Sequence, residues 1–262
     1  MSNTLTRILV GIAGIPLILY IVYAGGYPFF AFCLLAEALC FYELLRMFRV
    51  KGYSPMIITG VVFSAAVFAA FIFARQYLAY SLVLIFILFA AEHFRKEGKN
   101  ILNPLLSVFG FVYITLPFAL LYELGKNYIL VYYIFALIWS CDTFAFFGGK
   151  FFGRHKLTSV SPKKTVEGSL FGFAFTVITA VVFHFILPET ITIKDGLITG
   201  AIIGVLAQAG DLVESFLKRY TGVKDSSNII PGHGGFLDRF DSLIFCAPFV
   251  YVYFHFFKIF IN

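Results

Sequence analysis

Charge is what this chain has least of. Only 13% of its 262 residues are Asp, Glu, Lys or Arg, against 60% hydrophobic ones, and long uncharged runs recur from end to end. That balance excludes a soluble domain with a greasy core. Cysteine is also scarce. Cys33, Cys40, Cys141 and Cys246 form no C-x-x-C pair and fall in apolar runs, so they read as packing residues and suggest neither a disulfide framework nor a zinc site. No internal repeat of the kind found in inverted-repeat transporters is evident, and there is no low-complexity tail. The first apolar run ends in YAGGYPFF without a small-residue cleavage site, so it is expected to stay as an anchor.

What is present is hydropathy, carried largely by 35 Phe and 15 Tyr. Expected spans cover roughly residues 8–24, 28–45, 55–74, 78–93, 101–122, 128–147, 168–187, 196–217 and 242–261. The fold class is therefore an all-α polytopic integral membrane protein of about nine transmembrane helices. Alternating the loops across a bilayer puts 16 of the 20 Lys and Arg on the side of the N-terminus. These are Arg7, Arg46, Arg49, Lys51, Arg95, Lys96, Lys99, Lys150, Arg154, Lys156, Lys163, Lys164, Lys218, Arg219, Lys224 and Arg239; Arg75, Lys126, Lys194 and Lys258 lie opposite. Cytoplasmic loops carry the excess of Lys and Arg, so the N-terminus is expected inside. The formal charge of +6 then belongs beside anionic headgroups and calls for no nucleic acid. Residues 1–262 are expected to form one integral domain, about five spans in 1–127 and a second set with long cytoplasmic loops in 128–262. The compact length suggests a bacterial plasma membrane.

The polar residues gather in that second set. In the eighth span Asp211, Glu214, Ser215 and Lys218 share one helical face, with Asp211 about 10 Å below the basic collar. Asp142 stands eight residues before Lys150 at a similar depth in the sixth. An ionisable group at such depth is costly and needs a partner or a wet cavity; packing against neighbouring hydroxyls is the alternative for both. Residues 218–242 read KRYTGVKDSSNIIPGHGGFLDRFDS. PGHGG, with Gly232, Gly234 and Gly235, suits either an anion nest before a helix or a tight turn. Asp238 and Asp241 follow in the first turn of the ninth helix, where they are either hard oxygen ligands of the kind Mg²⁺ takes or helix-dipole partners. In the other long loop, SPKKT offers Ser161, Lys163, Lys164 and Thr165 to phosphates, or is a solvated basic loop. His233, between glycines, could donate to a phosphate or move a proton. Glu37 in the second span is unexplained. A phosphate nest, carboxylates and cations at a membrane surface together suit a reaction between a soluble polyphosphate and a lipid headgroup.

At this point the chain resembles the phosphatidate cytidylyltransferase (CDP-diacylglycerol synthase) family. Its signature is met without a gap by Ser215, Lys218, Arg219, Lys224, Asp225, Ser227, Ile230, Pro231, His233, Gly234, Gly235, Asp238, Arg239 and Asp241. The likeness extends through GDLVES and, more loosely, GRHKLTSVSPKKTVEG; the N-terminal spans match in hydropathy alone. One departure is Phe144, where the family commonly has Gly. The resemblance implies transfer of CMP from CTP to phosphatidic acid, giving CDP-diacylglycerol and pyrophosphate, with Mg²⁺ and a second, monovalent cation such as K⁺. It implies Asp211 and Asp238 at the metal centre, with Asp142, Glu214 and Asp241 as further candidates. Lys218, Arg219, His233 and Asp241 would serve catalysis with Asp211 and Asp238, and Ser161, Lys163, Lys164, Thr165, Ser215, Lys224, Asp225, Gly232, Gly234, Gly235 and Arg239 the substrates. A homodimer is also implied. Two rivals stay open: a CTP-dependent polyprenol kinase, which would release CDP, and an ion-coupled transporter using Asp142 and Asp211.

Overall fold

The computed structural model of the chain describes residues 3–74, 78–94 and 100–257. Arg75, Arg95, Lys96, Lys99 and Lys258 lie outside the described residues, as do the side chains of Arg7 and His93. Helices α1 (Asn3–Ala24), α2 (Gly26–Val50), α3 (Ile57–Phe73), α4 (Leu78–Phe94) and α5 (Leu102–Gly110) open the chain. A π turn (Phe111–Thr115) joins α5 to α6 (Leu116–Leu124). Then follow α7 (Tyr128–Phe152), α8 (Val166–Ile186), α9 (Ile193–Thr221) and α10 (Leu237–Val252), the last continued by a π segment (Tyr253–Phe257). Among the described residues β pairing is limited to two isolated bridges.

Every expected span overlaps a helical segment as far as the described residues reach; residues 258–261 of the last span lie outside them. Six are long and apolar enough to cross a membrane: Gly26–Val50, Leu102–Leu124, Tyr128–Phe152, Val166–Ile186, Ile193–Thr221 and Leu237–Phe257. The other three are shorter in their apolar reach; α1 is apolar over Val10–Ala24, and α3 and α4 have 17 residues each. At 1.5 Å per residue, 17 residues rise about 25 Å, less than a hydrocarbon core of about 30 Å. The four cysteines are buried and none is in a disulfide.

The chain divides into two compact units, Met1–Lys126 with Leu217–Phe240, and Asn127–Phe216 with Asp241–Asn262. In the first, α2 is the hub, burying Phe29, Cys33, Cys40, Phe41, Leu44 and Leu45 along its length. Phe41 lies against Phe111 of the π turn at 5.3 Å between ring centroids. A side chain at Gly110 would come within 2.7 Å of that Phe41 ring, so glycine lets the two helices close. The π turn also aims Thr115 at Glu37, whose Oε1 accepts its hydroxyl at 2.7 Å. That gives the buried carboxylate of the second span a partner, and a π turn is a common way to re-aim a side chain inside a helix.

In the second unit small residues set how closely α7, α8 and α9 approach. A Cβ on Gly168 would lie 2.6 Å from the Ala145 carbonyl oxygen, and one on Gly172 would lie 2.9 Å from that of Cys141. On α9, Gly196 and Gly200 repeat at the four-residue interval that lays two helices backbone to backbone. Added Cβ atoms there would meet Ala180 O and Val177 Cα of α8, each at 2.8 Å. Phe144 stacks on Phe175 with centroids 3.9 Å apart, so the residue that departs from the family pattern packs α7 on α8.

Candidate active site

Each unit holds a lysine ammonium against a carboxylate, and both pairs use residues singled out by the sequence. In the second unit, α7 ends at Gly153 and residues 153–166 fold back as a small hairpin. Leu157 N–H donates to Lys164 O at 2.9 Å and Val166 N–H to His155 O at 2.9 Å. Glu167 fixes its base: Oε1 pairs with His155 Nδ1 at 2.6 Å, and Oε2 accepts from the amides of Arg154 and His155 at 3.0 and 3.2 Å. Thr165 caps α8, its Oγ1 accepting from Gly168 N–H at 3.1 Å, so the hydroxyl expected to meet phosphate is engaged in an N-cap. The hairpin carries Lys164 to α9, where its Nζ forms an ion pair with Asp211 Oδ2. Ser215, one turn on, donates to Asp211 Oδ1 at 3.3 Å. Lys163 is exposed and Ser161 half-buried. Asp142 is exposed on α7, Glu214 is buried, and Asp241 accepts at Oδ1 from the amide of Ser242 at 2.6 Å.

The first unit contains the glycine-rich segment. Pro231 and Gly232 make a tight turn closed by His233 N–H donating to Ile230 O at 2.9 Å, with Gly232 at φ 75°. Proline second and a positive-φ glycine third is the requirement of a type II turn. Ile230 N–H in turn donates to Gly234 O at 2.9 Å. The amides of Gly235, Phe236 and Leu237 go to carboxylates, Gly235 to Asp238 Oδ2 at 2.8 Å and the other two to Glu43 at 3.0 and 2.8 Å. The glycines thus have a structural reason, and several of the amides expected to face an anion are taken by protein oxygens. Asp238 is nearly enclosed: Oδ1 receives Lys218 Nζ at 2.6 Å, and Oδ2 receives the amide and hydroxyl of Ser226, both at 2.9 Å, besides Gly235. His233 Nδ1 is buried with no hydrogen-bond partner among the described residues. Arg219, Lys224, Asp225 and Arg239 are exposed, and Arg219 donates to Val223 O at 3.4 Å.

Glu43 escaped the sequence reading, and Arg46 entered it only as a loop charge. Glu43 is fully buried on α2 and accepts from four groups of the segment. Arg46, one turn further, helps line a cleft of about 560 Å³ with Met47, Val50, Lys224 and Ser227. The available signal was a carboxylate at the end of an apolar run, which demands a partner as much as Glu37 does.

Among the described residues no three of His, Cys, Asp and Glu converge as metal ligands. Mg²⁺ needs no such cage, since it commonly takes one or two carboxylates plus substrate phosphates and water. The hard oxygens fit it, and Asp211 fits best: its side chain is 36% exposed and Oδ2 is held by an exchangeable ammonium. Asp238, 5% exposed, would have to release Lys218.

Six helices long and apolar enough to cross a membrane, with lysine–carboxylate pairs in each unit, define the class as a multi-helix membrane-type protein. Residues 5–257 match the cytidylyltransferase family, and the chain belongs to it. It is 34% identical over 258 residues to the phosphatidate cytidylyltransferase of Staphylococcus haemolyticus, covering 94% of this chain and 95% of that protein. The protein of the same name from Bacillus subtilis is 33% identical over 267 residues with the same coverage. That of Synechocystis is 47% identical over 119 residues, 45% of this chain and 41% of that protein.

Proposed function

We propose that this chain transfers CMP from CTP to phosphatidic acid, giving CDP-diacylglycerol and pyrophosphate. The observation that carries the reading is likeness over 94% of its length to proteins named for that activity. The finer expectations belong to the same proposal: nine crossings with the N-terminus cytoplasmic, one integral domain in a bacterial plasma membrane, and a homodimer. Mg²⁺ would be held by Asp211 and Asp238, with Asp142, Glu214 and Asp241 as further oxygen donors and a monovalent cation such as K⁺ nearby. Bound there, it would screen the polyphosphate and draw electron density from the α-phosphoryl group.

The chain's own residues do the positioning. Both substrates are polyanions, so bringing a lipid phosphate to the α-phosphorus is the main obstacle. Lys164, now paired with Asp211, would be free to meet a phosphate once a cation took the carboxylate; Lys163 and Ser161 stand on the same loop. Lys218, Arg219, Lys224 and Arg239 supply positive charge on the other segment, and His233 a ring nitrogen. An oxygen of phosphatidic acid attacks the α-phosphorus in line, a P–O bond forms, and the bond to the β-phosphate oxygen breaks with pyrophosphate leaving. The attacking oxygen is already largely deprotonated near neutral pH, so alignment dominates and no covalent enzyme intermediate is required. The test supplies purified protein with labelled CTP, phosphatidic acid and Mg²⁺. Liponucleotide and pyrophosphate should appear in equal amounts. CDP as the product would point to a lipid kinase, and ion flux across sealed vesicles without CTP to a transporter.

A further inference from the structure

Glu43 lies far from the signature in sequence, yet it holds that signature at both ends. Its Oε2 accepts from the Ser226 hydroxyl at 2.8 Å and the Leu237 amide at 2.8 Å. Its Oε1 accepts from the Ser227 hydroxyl at 2.6 Å and the Phe236 amide at 3.0 Å. Two donors precede the turn and two follow it, so one buried carboxylate closes the whole excursion. Phe236 and Leu237 stand where α10 begins, and their amides are among those a helix cannot satisfy from within. A negative charge there opposes the positive end of the helix, so Glu43 caps α10 from another helix. Nothing larger than glycine fits in between: a Cβ on Gly235 would overlap Ser226 Oγ and both Glu43 oxygens.

The clamp reaches Asp238 in one further step. Ser226 and Gly235, the residues pinned by or packed on Glu43, are also those that donate to Asp238 Oδ2. The Ser226 hydroxyl lies 2.8 Å from Glu43 Oε2 and 2.9 Å from Asp238 Oδ2 and has one proton for both, so the two carboxylates share a single donor. We propose that Glu43 is a positioning residue for the transfer reaction, orienting Asp238 through Ser226 and the amides on either side of the turn. This rests on the cytidylyltransferase reading for its consequence, although the clamp itself does not.

The experiment compares wild type with Glu43→Gln, Glu43→Asp and Ser226→Ala in detergent micelles, scoring kcat per folded enzyme, KM for CTP, and tryptic cleavage after exposed Lys224. Glutamine keeps the shape but offers one acceptor oxygen to four donors, so it leaves part of the clamp unmade. Misplacement of about 1 Å can cost about 100-fold in rate, so Glu43→Gln should lower kcat by that order. KM for CTP should change less than kcat, because the loop of Lys163 and Lys164 is untouched while only the segment of Lys218, Arg219, Lys224 and Arg239 is loosened. Glu43→Asp should recover part of kcat, Ser226→Ala should fall between, and cleavage after Lys224 should speed up in the order of the losses. If Glu43→Gln fails to fold, the aspartate and alanine variants carry the same comparison. The idea is overturned if the variants that fold keep kcat within twofold of wild type, or lose thermal stability while Lys224 is cut at the wild-type rate. If wild type itself makes no pyrophosphate from these substrates, the functional reading fails, and the cleavage order alone decides the clamp.

Discussion

Lys164, carried on a hairpin after α7, sits against Asp211 in the middle of α9, joining the two sequence segments expected to bind phosphate and cation. The side chains are 28% and 36% exposed, so the pair is worth less than about 1 kcal/mol to the fold. Under the proposed function its value would lie in exchange, with a substrate phosphate taking Lys164 and a cation taking Asp211. Lys164→Met and Asp211→Asn should therefore lower turnover by about 100-fold or more while shifting the thermal midpoint little. Pyrophosphate release and a melting curve on the same preparations check this, and near-normal turnover in either variant removes that residue from the site.

Lys218 and Asp238 form the opposite case, with side chains only 12% and 5% exposed. Removing one partner of a buried pair leaves a charge without compensation, at a cost of about 3–5 kcal/mol. Lys218→Met and Asp238→Asn should each melt well below wild type, and Asp238→Asn more so, because an amide cannot accept from all the donors now aimed at the carboxylate. The double variant should be less destabilised than the sum of the two. Additive losses would mean that the pair is not coupled.

The glycines of the signature separate by mechanism. Gly234 has φ 81° and a Cβ there would lie 2.6 Å from Asp238 Oδ2, whereas Gly222 has φ 80° with nothing within 4 Å. Gly222→Ala should cost about 1–2 kcal/mol, the left-handed penalty alone. Gly234→Ala adds a clash to the same penalty, and Gly235→Ala meets the Glu43 clamp directly, so both should lose more stability and most activity. Equal losses at Gly222 and Gly234 would show that backbone conformation, not contact, sets the requirement.

Hydropathy made the helices legible because a buried, uncharged run has few other uses. The apolar run itself starts at 242, but the acidic pair Asp238 and Asp241 marked the first turn ahead of it, and the helix does begin at Leu237. The first turn of α10 is polar and owes its start to Glu43, which no local pattern shows. Asp211, Lys164, Lys218 and Asp238 were legible as types, since carboxylates and cations at that depth need a reason. Which ammonium meets which carboxylate was not, because that depends on hairpin and helix packing across long stretches of chain. PGHGG suited a turn and a nest equally in sequence; the hydrogen bonds of His233, Gly235, Phe236 and Leu237 establish the turn.

The small-residue contacts of α8 can be tested against glycines that touch nothing. Gly168 would place a Cβ 2.6 Å from the Ala145 carbonyl, and Gly200 one 2.8 Å from Val177 Cα, both backbone atoms that cannot swing away. An added Cβ on Gly11 or Gly14 of α1 would meet nothing within 4 Å among the described residues. Alanine favours a helix over glycine by about 1 kcal/mol, so Gly11→Ala and Gly14→Ala should be neutral or stabilising. Gly168→Ala and Gly200→Ala carry the same helical gain but force α8 away from its neighbours, at about 1–3 kcal/mol for overpacking. Their thermal midpoints in micelles should fall. Because Gly168 lies three residues after Thr165, Gly168→Ala should also displace the hairpin and weaken turnover, whereas Gly200→Ala should lose stability first. A Gly168→Ala protein with wild-type midpoint and turnover would mean that α7 and α8 can part without moving Lys164.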